Sequence, residues 1–132
     1  MHVELPDDAL VIRFPPVAPE GVLRGAQKEA RRTGGLHRLS VFAGVARDEE
    51  TEAQLVDRLL AASEVAGINP ATNRKYFVCV RADELLSRGF TFWKDDEDEE
   101  ELPEHYNVDL GPEPGLADAE RFGEAFGPSM RR

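Results

Sequence analysis

The chain has 132 residues, of which 41% are apolar and 32% are charged, and its net charge is −10 at pH 7. This length and composition predict one domain, residues 1–132, with a sizeable hydrophobic core. No apolar run approaches the ~18 residues of a membrane span, and the first residues lack the basic region of a signal peptide. The single cysteine, Cys79, excludes an internal disulfide and a multi-cysteine zinc site, so we expect a cytoplasmic protein.

The first third of the chain predicts a strand, a helix and a second strand. Residues 9–14 form an aliphatic and aromatic run that ends at Pro15-Pro16, which indicates a strand with a sharp end. Residues 19–33 begin with a proline and end at Gly34-Gly35, as is typical of a helix. Residues 38–45 alternate between two faces, with the aliphatic side chains on one of them, which predicts a half-buried strand.

The middle of the chain predicts a helix, a central strand and a short helix. Thr51 and Gln54 have the spacing of a capping box at a helix start, and Gly67 marks the end of that helix. Residues 75–81 direct apolar side chains to both faces, which is typical of a central strand that is covered on both sides. Residues 82–89 predict about two turns of helix that end at a glycine.

The last third of the chain predicts a hairpin and a final helix. Residues 90–94 and 105–110 are predicted strands, and an acidic, flexible loop of residues 95–104 joins them. Residues 116–126 have apolar side chains at helical spacing, and Gly127-Pro128 ends this helix.

The resulting element order is β-α-β-α-β-α-β-β-α, which predicts an α/β or α+β fold. We expect a mixed sheet of about five strands with covering helices, partly parallel because strands and helices alternate, with an antiparallel hairpin at one edge.

Charge is separated along the chain. Residues 95–120 contain twelve acids and no Lys or Arg, whereas residues 13–47 contain seven bases and two acids. The acids are densest in one uninterrupted run, which consists of Asp95, Asp96, Glu97, Asp98, Glu99, Glu100 and Glu101. Such asymmetry is typical of a protein with a charged partner.

The acidic run has three interpretations: a hydrated loop, a metal-binding segment, or a recognition surface for a basic partner. A calcium-binding loop needs a glycine at its bend, and the run has none, so we expect no metal here. A recognition surface would attract a basic protein by electrostatic steering. Trp93 and Tyr106 flank the loop, and large aromatic side chains of this kind often anchor protein interfaces.

The first predicted helix carries a stripe of basic side chains on one face. The stripe consists of Arg24, Lys28, Arg31 and Arg32. It fits an ordinary exposed helix face, a surface that contacts phosphate groups, or an internal or intersubunit partner for the acidic loop. Because no stacking aromatic side chains lie among these bases and the whole chain is acidic, nucleic-acid binding is the less favoured function.

His105, Asp109 and Arg81 are weak catalytic candidates. His105 and Asp109 share one face of the last predicted strand, about 13 Å apart along it, so they do not touch directly. Together with Arg81 they could line a groove, where a histidine and a carboxylate supply the minimum for acid–base chemistry. The alternative is that all three belong to the polar outer face of a sheet.

These patterns favour a non-catalytic protein that binds a basic partner through the acidic hairpin. Inhibitors, antitoxins, immunity proteins and assembly accessory proteins are classes of that size and charge. The alternative is an enzyme or binding module for nucleotides or nucleic acid, with catalysis at the candidates above and phosphates at the basic stripe. Neither interpretation requires a cofactor, and neither involves a membrane.

Overall fold

The computed structural model describes residues 1–68, 75–95 and 101–132. In these residues the helices are α1 (Pro19–Thr33), α2 (Glu52–Val65), α3 (Ala82–Ser87) and α4 (Leu116–Glu124). The strands are β1 (His2–Val3), β2 (Leu10–Arg13), β3 (Arg38–Gly44), β4 (Tyr76–Arg81), β5 (Thr91–Trp93), β6 (His105–Asp109) and β7 (Met130–Arg131). None of these helices is both long enough and apolar enough to cross a membrane.

The strands form one sheet in the order β1-β5-β6-β3-β2-β4-β7. Every pairing among the described strands is antiparallel, so the fold is α+β and the expected parallel pairing is wrong. The physical reason is visible around α1: the chain leaves β2 and, after the helix, re-enters the sheet in β3 at the same end, so the helix joins two antiparallel neighbours. The five predicted strands and the β5–β6 hairpin are confirmed, and the two-residue strands β1 and β7 extend the sheet at its edges.

Local sequence explains where α2 begins and where α1 ends. In α2 the Thr51 hydroxyl accepts a hydrogen bond from the Gln54 amide at 3.2 Å, and the Gln54 side chain accepts one from the Thr51 amide at 2.9 Å. This reciprocal pair satisfies two backbone donors that a helix start otherwise leaves unpaired. Helix α1 ends at Gly34, which adopts a φ of 79°, a left-handed conformation that glycine accommodates without strain.

The sheet has a hydrophobic cluster on each face. Helices α1, α3 and α4 contribute Val22, Leu85 and Phe122 to the larger cluster. Helix α2 contributes Leu55 and Leu59 to the smaller cluster on the other face, and the strand residues of this cluster lie on β2, β3 and β4. Its described members include no residue of β1, β5 or β6. Polar side chains of β6 and of the first half of β3 therefore occupy the part of this face beside the α2 cluster.

Candidate functional sites: the acidic hairpin and a basic groove

The base of the acidic hairpin is closed by a buried lysine. Lys94 is only 5% exposed, and its ammonium group donates hydrogen bonds to the carbonyls of Leu102 at 2.8 Å, Pro103 at 3.0 Å and His105. The same ammonium lies 4.2 Å from the centre of the Tyr106 ring. A single cation thus joins the end of β5 to the segment that returns into β6. We call this arrangement the Lys94 clamp.

The first acid of the run, Asp95, is bound by the protein's own arginine. The side chain of Arg38 is 4% exposed and donates one hydrogen bond to Asp95 at 2.8 Å and another to Glu29 at 3.1 Å. The indole of Trp93 also donates to Asp95 at 3.1 Å, and the Arg38 guanidinium lies 5.6 Å from the centre of the Trp93 ring. Burial is the largest single effect and raises the pKa of Asp95, but the hydrogen bonds from Arg38 and Trp93 and the charge of Arg38 together outweigh it, so the pKa lies below its usual value.

The other predicted protein-binding residues have different environments. Tyr106 is half-buried beneath the Lys94 ammonium, and Glu101 is exposed. Glu104, which follows the acidic run, lies 3.8 Å from Arg58 of α2. The acids Asp96, Glu97, Asp98, Glu99 and Glu100 lie outside the described residues. The described ends of the hairpin are therefore tied to the domain by ion pairs and by the clamp.

The three catalytic candidates do not share a site. Arg81 lies on β4, which two strands, β2 and β3, separate from the strand that carries His105 and Asp109. Its guanidinium binds Asp83 at 3.1 and 3.2 Å. His105 instead lies 2.7 Å from the hydroxyl of Ser40, between Nε2 and Oγ. Strand order therefore does not bring Arg81 together with His105 and Asp109, and a catalytic role for them stays a prediction.

The basic stripe is exposed on α1, as predicted: Arg24, Lys28, Arg31 and Arg32 all reach the surface. Arg32 binds Glu29 one turn earlier. That hydrogen bond, together with the one from Arg38, holds the pKa of Glu29 below its usual value despite partial burial. Lys28 forms no ion pair with any residue in the described part of the chain. The stripe is thus part solvated surface and part wall of a groove.

That groove lies where β2 and β3 separate. Strand β2 pairs with β3 only through Leu10, Val11 and Ile12, so residues 38–41 of β3 keep β6 on one side and face α1 on the other. The opening has a volume of about 570 Å³. Its polar lining consists of Lys28, Glu29 and Arg32 from α1, and Arg13, Arg38, Ser40 and Asn107 from the sheet. We call it the α1–β3 groove.

Two side chains at the bottom of the groove are buried and polar. The Arg13 guanidinium donates a hydrogen bond to the Ser40 carbonyl at 2.9 Å. The arginine thus provides a hydrogen-bond donor to the part of β3 that extends beyond the end of β2. Asn107 is 5% exposed, and its side-chain amide makes no hydrogen bond to any residue that the structure describes. The groove therefore combines an excess of positive charge with an amide that has donors and an acceptor to offer.

A smaller cavity of about 220 Å³ adjoins the groove, and its apolar walls include Phe14, Pro16, Phe42 and Ile68. Arg13, Gly25 and Ser40 line both spaces.

Sequence reasoning missed Arg13, Arg38, Ser40 and Asn107 as site residues. The only available signal was the excess of bases in residues 13–47, which includes Arg13 and Arg38. No protein-family model, curated protein or solved structure matches the chain.

Proposed function

We propose that the protein is a non-catalytic binding protein that engages a basic surface of a partner protein through its acidic hairpin. An inhibitor, an antitoxin-like or immunity-like protein, or an assembly accessory protein would act in this way. The observation that carries the proposal is the Lys94 clamp. It fixes the two ends of the most acidic segment of the chain against the folded domain.

The clamp has a physical rationale in such a role. Burying an ammonium group is costly unless it is hydrogen-bonded, and here three carbonyls bind it. Seven adjacent acids repel one another, and a cation at the base of the segment that carries them offsets part of that repulsion. Fixing the ends of a binding segment lowers the entropy that it loses when a partner binds. A rigid base below a dense negative charge suits electrostatic docking.

Asp95 takes no part in the proposed docking, because Arg38 and Trp93 already bind it. The partner-facing charge is assigned from the sequence to the acids that follow it, Asp96 to Glu101. Attraction between such a run and a basic surface raises the association rate and weakens with salt.

We also propose a cytoplasmic location. The lone cysteine suits a reducing compartment, and burial raises the pKa of its thiol to about 11, which makes it a poor nucleophile.

The test compares three proteins immobilised at equal density and exposed to an extract of the native host. One is the wild type. The hairpin variant converts Asp96, Glu97, Asp98, Glu99 and Glu100 to their amides. The control variant makes the same change in charge at five exposed acids elsewhere, namely Asp7, Asp8, Glu113, Glu120 and Glu124.

We expect the wild type and the control variant to retain the same basic protein at low salt and to lose it at high salt. The purified partner should then bind the hairpin variant at least about tenfold more weakly than the control variant. Equal retention by the two variants would contradict the proposal, because the effect would then follow from net charge alone.

A further inference from the structure

The α1–β3 groove concentrates positive charge in a chain whose net charge is −10. Four cationic side chains line it, Arg13, Lys28, Arg32 and Arg38, and within the described residues two acids bind them: Glu29, which also lines the groove, and Asp95, which binds Arg38 from the hairpin. Glu29 is itself hydrogen-bonded to two of the four arginine and lysine side chains. Low-dielectric walls focus the field of such a cluster, so the groove attracts a small anion even though the protein as a whole repels one.

Asn107 supplies a second and independent observation. Nearly all buried polar groups in proteins have a hydrogen-bond partner, and Asn107 is 5% exposed, with its amide atoms open to the groove that it lines rather than fully enclosed. The amide of Asn107 has none within the described part of the chain, and it faces the groove. A polar group held in this way is available to hydrogen-bond a ligand.

The apolar cavity that adjoins the groove completes the site. Ligand sites typically combine apolar walls with a few converging polar groups, in volumes of about 300–1,000 Å³. The polar groups come from Arg13, Lys28 and Asn107 at the α1–β3 groove, which is the basic end of the site. The apolar walls come from Phe14 and Phe42 in the smaller cavity, which is its apolar end. The two ends are suited to different parts of one molecule.

We propose that the α1–β3 groove binds a small phosphate monoester with a flat apolar or heterocyclic body, a class that includes nucleoside monophosphates. The phosphate lies between Lys28 and the Asn107 amide, and the body extends past Ser40 into the apolar cavity. Guanidinium and ammonium groups bind phosphate oxygens by charge-assisted hydrogen bonds. A polymeric nucleic acid would instead bring many charges against the acidic remainder of the surface, so a small ligand fits the charge distribution better.

The experiment is a titration of ¹⁵N-labelled full-length protein with phenyl phosphate and adenosine monophosphate, followed by amide chemical shifts. Inorganic phosphate, phenol and benzoate are titrated in parallel. We expect saturable one-to-one binding of both phosphate monoesters, with dissociation constants on the order of 0.1–1 mM for phenyl phosphate. The shifts should concentrate at Ser40, Asn107 and the α1 residues of the groove. Inorganic phosphate, phenol and benzoate should each bind at least about fivefold more weakly.

A matched pair of variants separates a built site from general charge attraction. Lys28→Ala and Arg24→Ala each remove one exposed cation from α1, but only Lys28 lines the groove. We expect Lys28→Ala to weaken phenyl phosphate binding by about tenfold, the effect of one charge-assisted hydrogen bond, and Arg24→Ala to change it by less than about twofold. Asn107→Ala should also weaken binding, and its thermal unfolding curve shows whether its fold is retained.

Three results would overturn the proposal. One is the absence of saturable binding up to about 10 mM, roughly tenfold above the weakest expected dissociation constant. Another is an equal loss of affinity in the Lys28→Ala and Arg24→Ala variants, which would indicate attraction to the helix as a whole. The third is benzoate or inorganic phosphate binding as tightly as phenyl phosphate, because the groove would then select neither the phosphate nor the body.

Discussion

Replacing Lys94 by Met tests how much the clamp contributes to folding. Methionine keeps an unbranched stem of similar length and removes the ammonium group, which leaves the carbonyls of Leu102, Pro103 and His105 without their shared donor. A hydrogen bond to a charged group contributes about 1.5–3 kcal/mol net of hydration, which would be roughly 5–9 kcal/mol for three independent bonds. The three carbonyls share one ammonium group and some of them regain water in the variant, so the loss is about half of that sum. We therefore expect the free energy of unfolding to fall by about 2–4 kcal/mol.

Urea-induced unfolding at pH 7, followed by the fluorescence of Trp93 and by far-ultraviolet circular dichroism, measures this loss. Lys75→Met is the matched control, because Lys75 is an exposed lysine immediately before β4. An exposed substitution of this kind changes stability by about 0.5 kcal/mol or less. The slope of the unfolding free energy against urea should stay the same in both variants, since the surface exposed on unfolding is nearly unchanged.

If Lys94→Met and Lys75→Met agree to within about 0.5 kcal/mol, the carbonyls bind water as well as they bind the ammonium group. The clamp would then contribute no net stability, and the rigid base of the hairpin would lose its physical support.

Two other predictions concern a pair of helical glycines and one carboxylate. A Cβ on Gly123 would lie 2.3 Å from the Val17 carbonyl oxygen, so Gly123→Ala should lower the free energy of unfolding by about 1–3 kcal/mol. At Gly25 the nearest side-chain atom to an added Cβ is 3.6 Å away, so Gly25→Ala should raise the free energy of unfolding by up to about 1 kcal/mol. Thermal unfolding of both variants checks the opposite signs, and destabilisation of equal size would contradict them. Hydrogen bonding from Arg58 lowers the pKa of Glu50 from 4.5 to about 2, so its contribution is complete above pH 4.5 and is lost as the pH falls towards 2. The difference in unfolding free energy between wild type and Glu50→Gln should disappear over that window, and a difference that did not vary with pH would exclude this origin.

Local signals in the sequence predicted the elements well. The capping box at Thr51 and Gln54 fixed the start of α2, and the structure shows both of its hydrogen bonds. The glycine pair after Thr33 fixed the end of α1. These signals depend on backbone groups only a few residues apart, so they act almost independently of the rest of the fold.

Strand direction could not be predicted in the same way. The alternation of strands and helices suggested parallel crossovers, but a helix between two strands does not determine at which end of the sheet the chain re-enters. That choice depends on the packing of α1 against α4 and β3, through contacts such as those of Val22 and Phe122 in one cluster. Such long-range contacts leave no local pattern.

The groove escaped prediction for a related reason. Asn107 shares one face of β6 with His105 and Asp109, for which a polar outer face was one interpretation, whereas Asn107 is 5% exposed. Arg13 and Arg38 are also buried. The Arg13 guanidinium donates to the Ser40 carbonyl at the edge of β3 that β2 leaves open, and the Arg38 side chain lines the groove there. The sequence showed an excess of basic residues in this third of the chain, but the pattern that could be recognised was the exposed stripe on α1.

Arg38 connects the acidic hairpin to the groove physically. Its guanidinium is buried, lines the groove, and binds Glu29 of α1 and Asp95 at the base of the hairpin. Removing it would take one arginine from two partly buried carboxylates, leaving Glu29 with Arg32 and Asp95 with the Trp93 indole, and would disturb both regions at once. A loss of partner binding or of phosphate binding in an Arg38 variant would therefore identify neither site. Asp96 to Glu100 belong to the hairpin segment by sequence, and Lys28 lines the groove, so substitutions at these two places test the two functions separately.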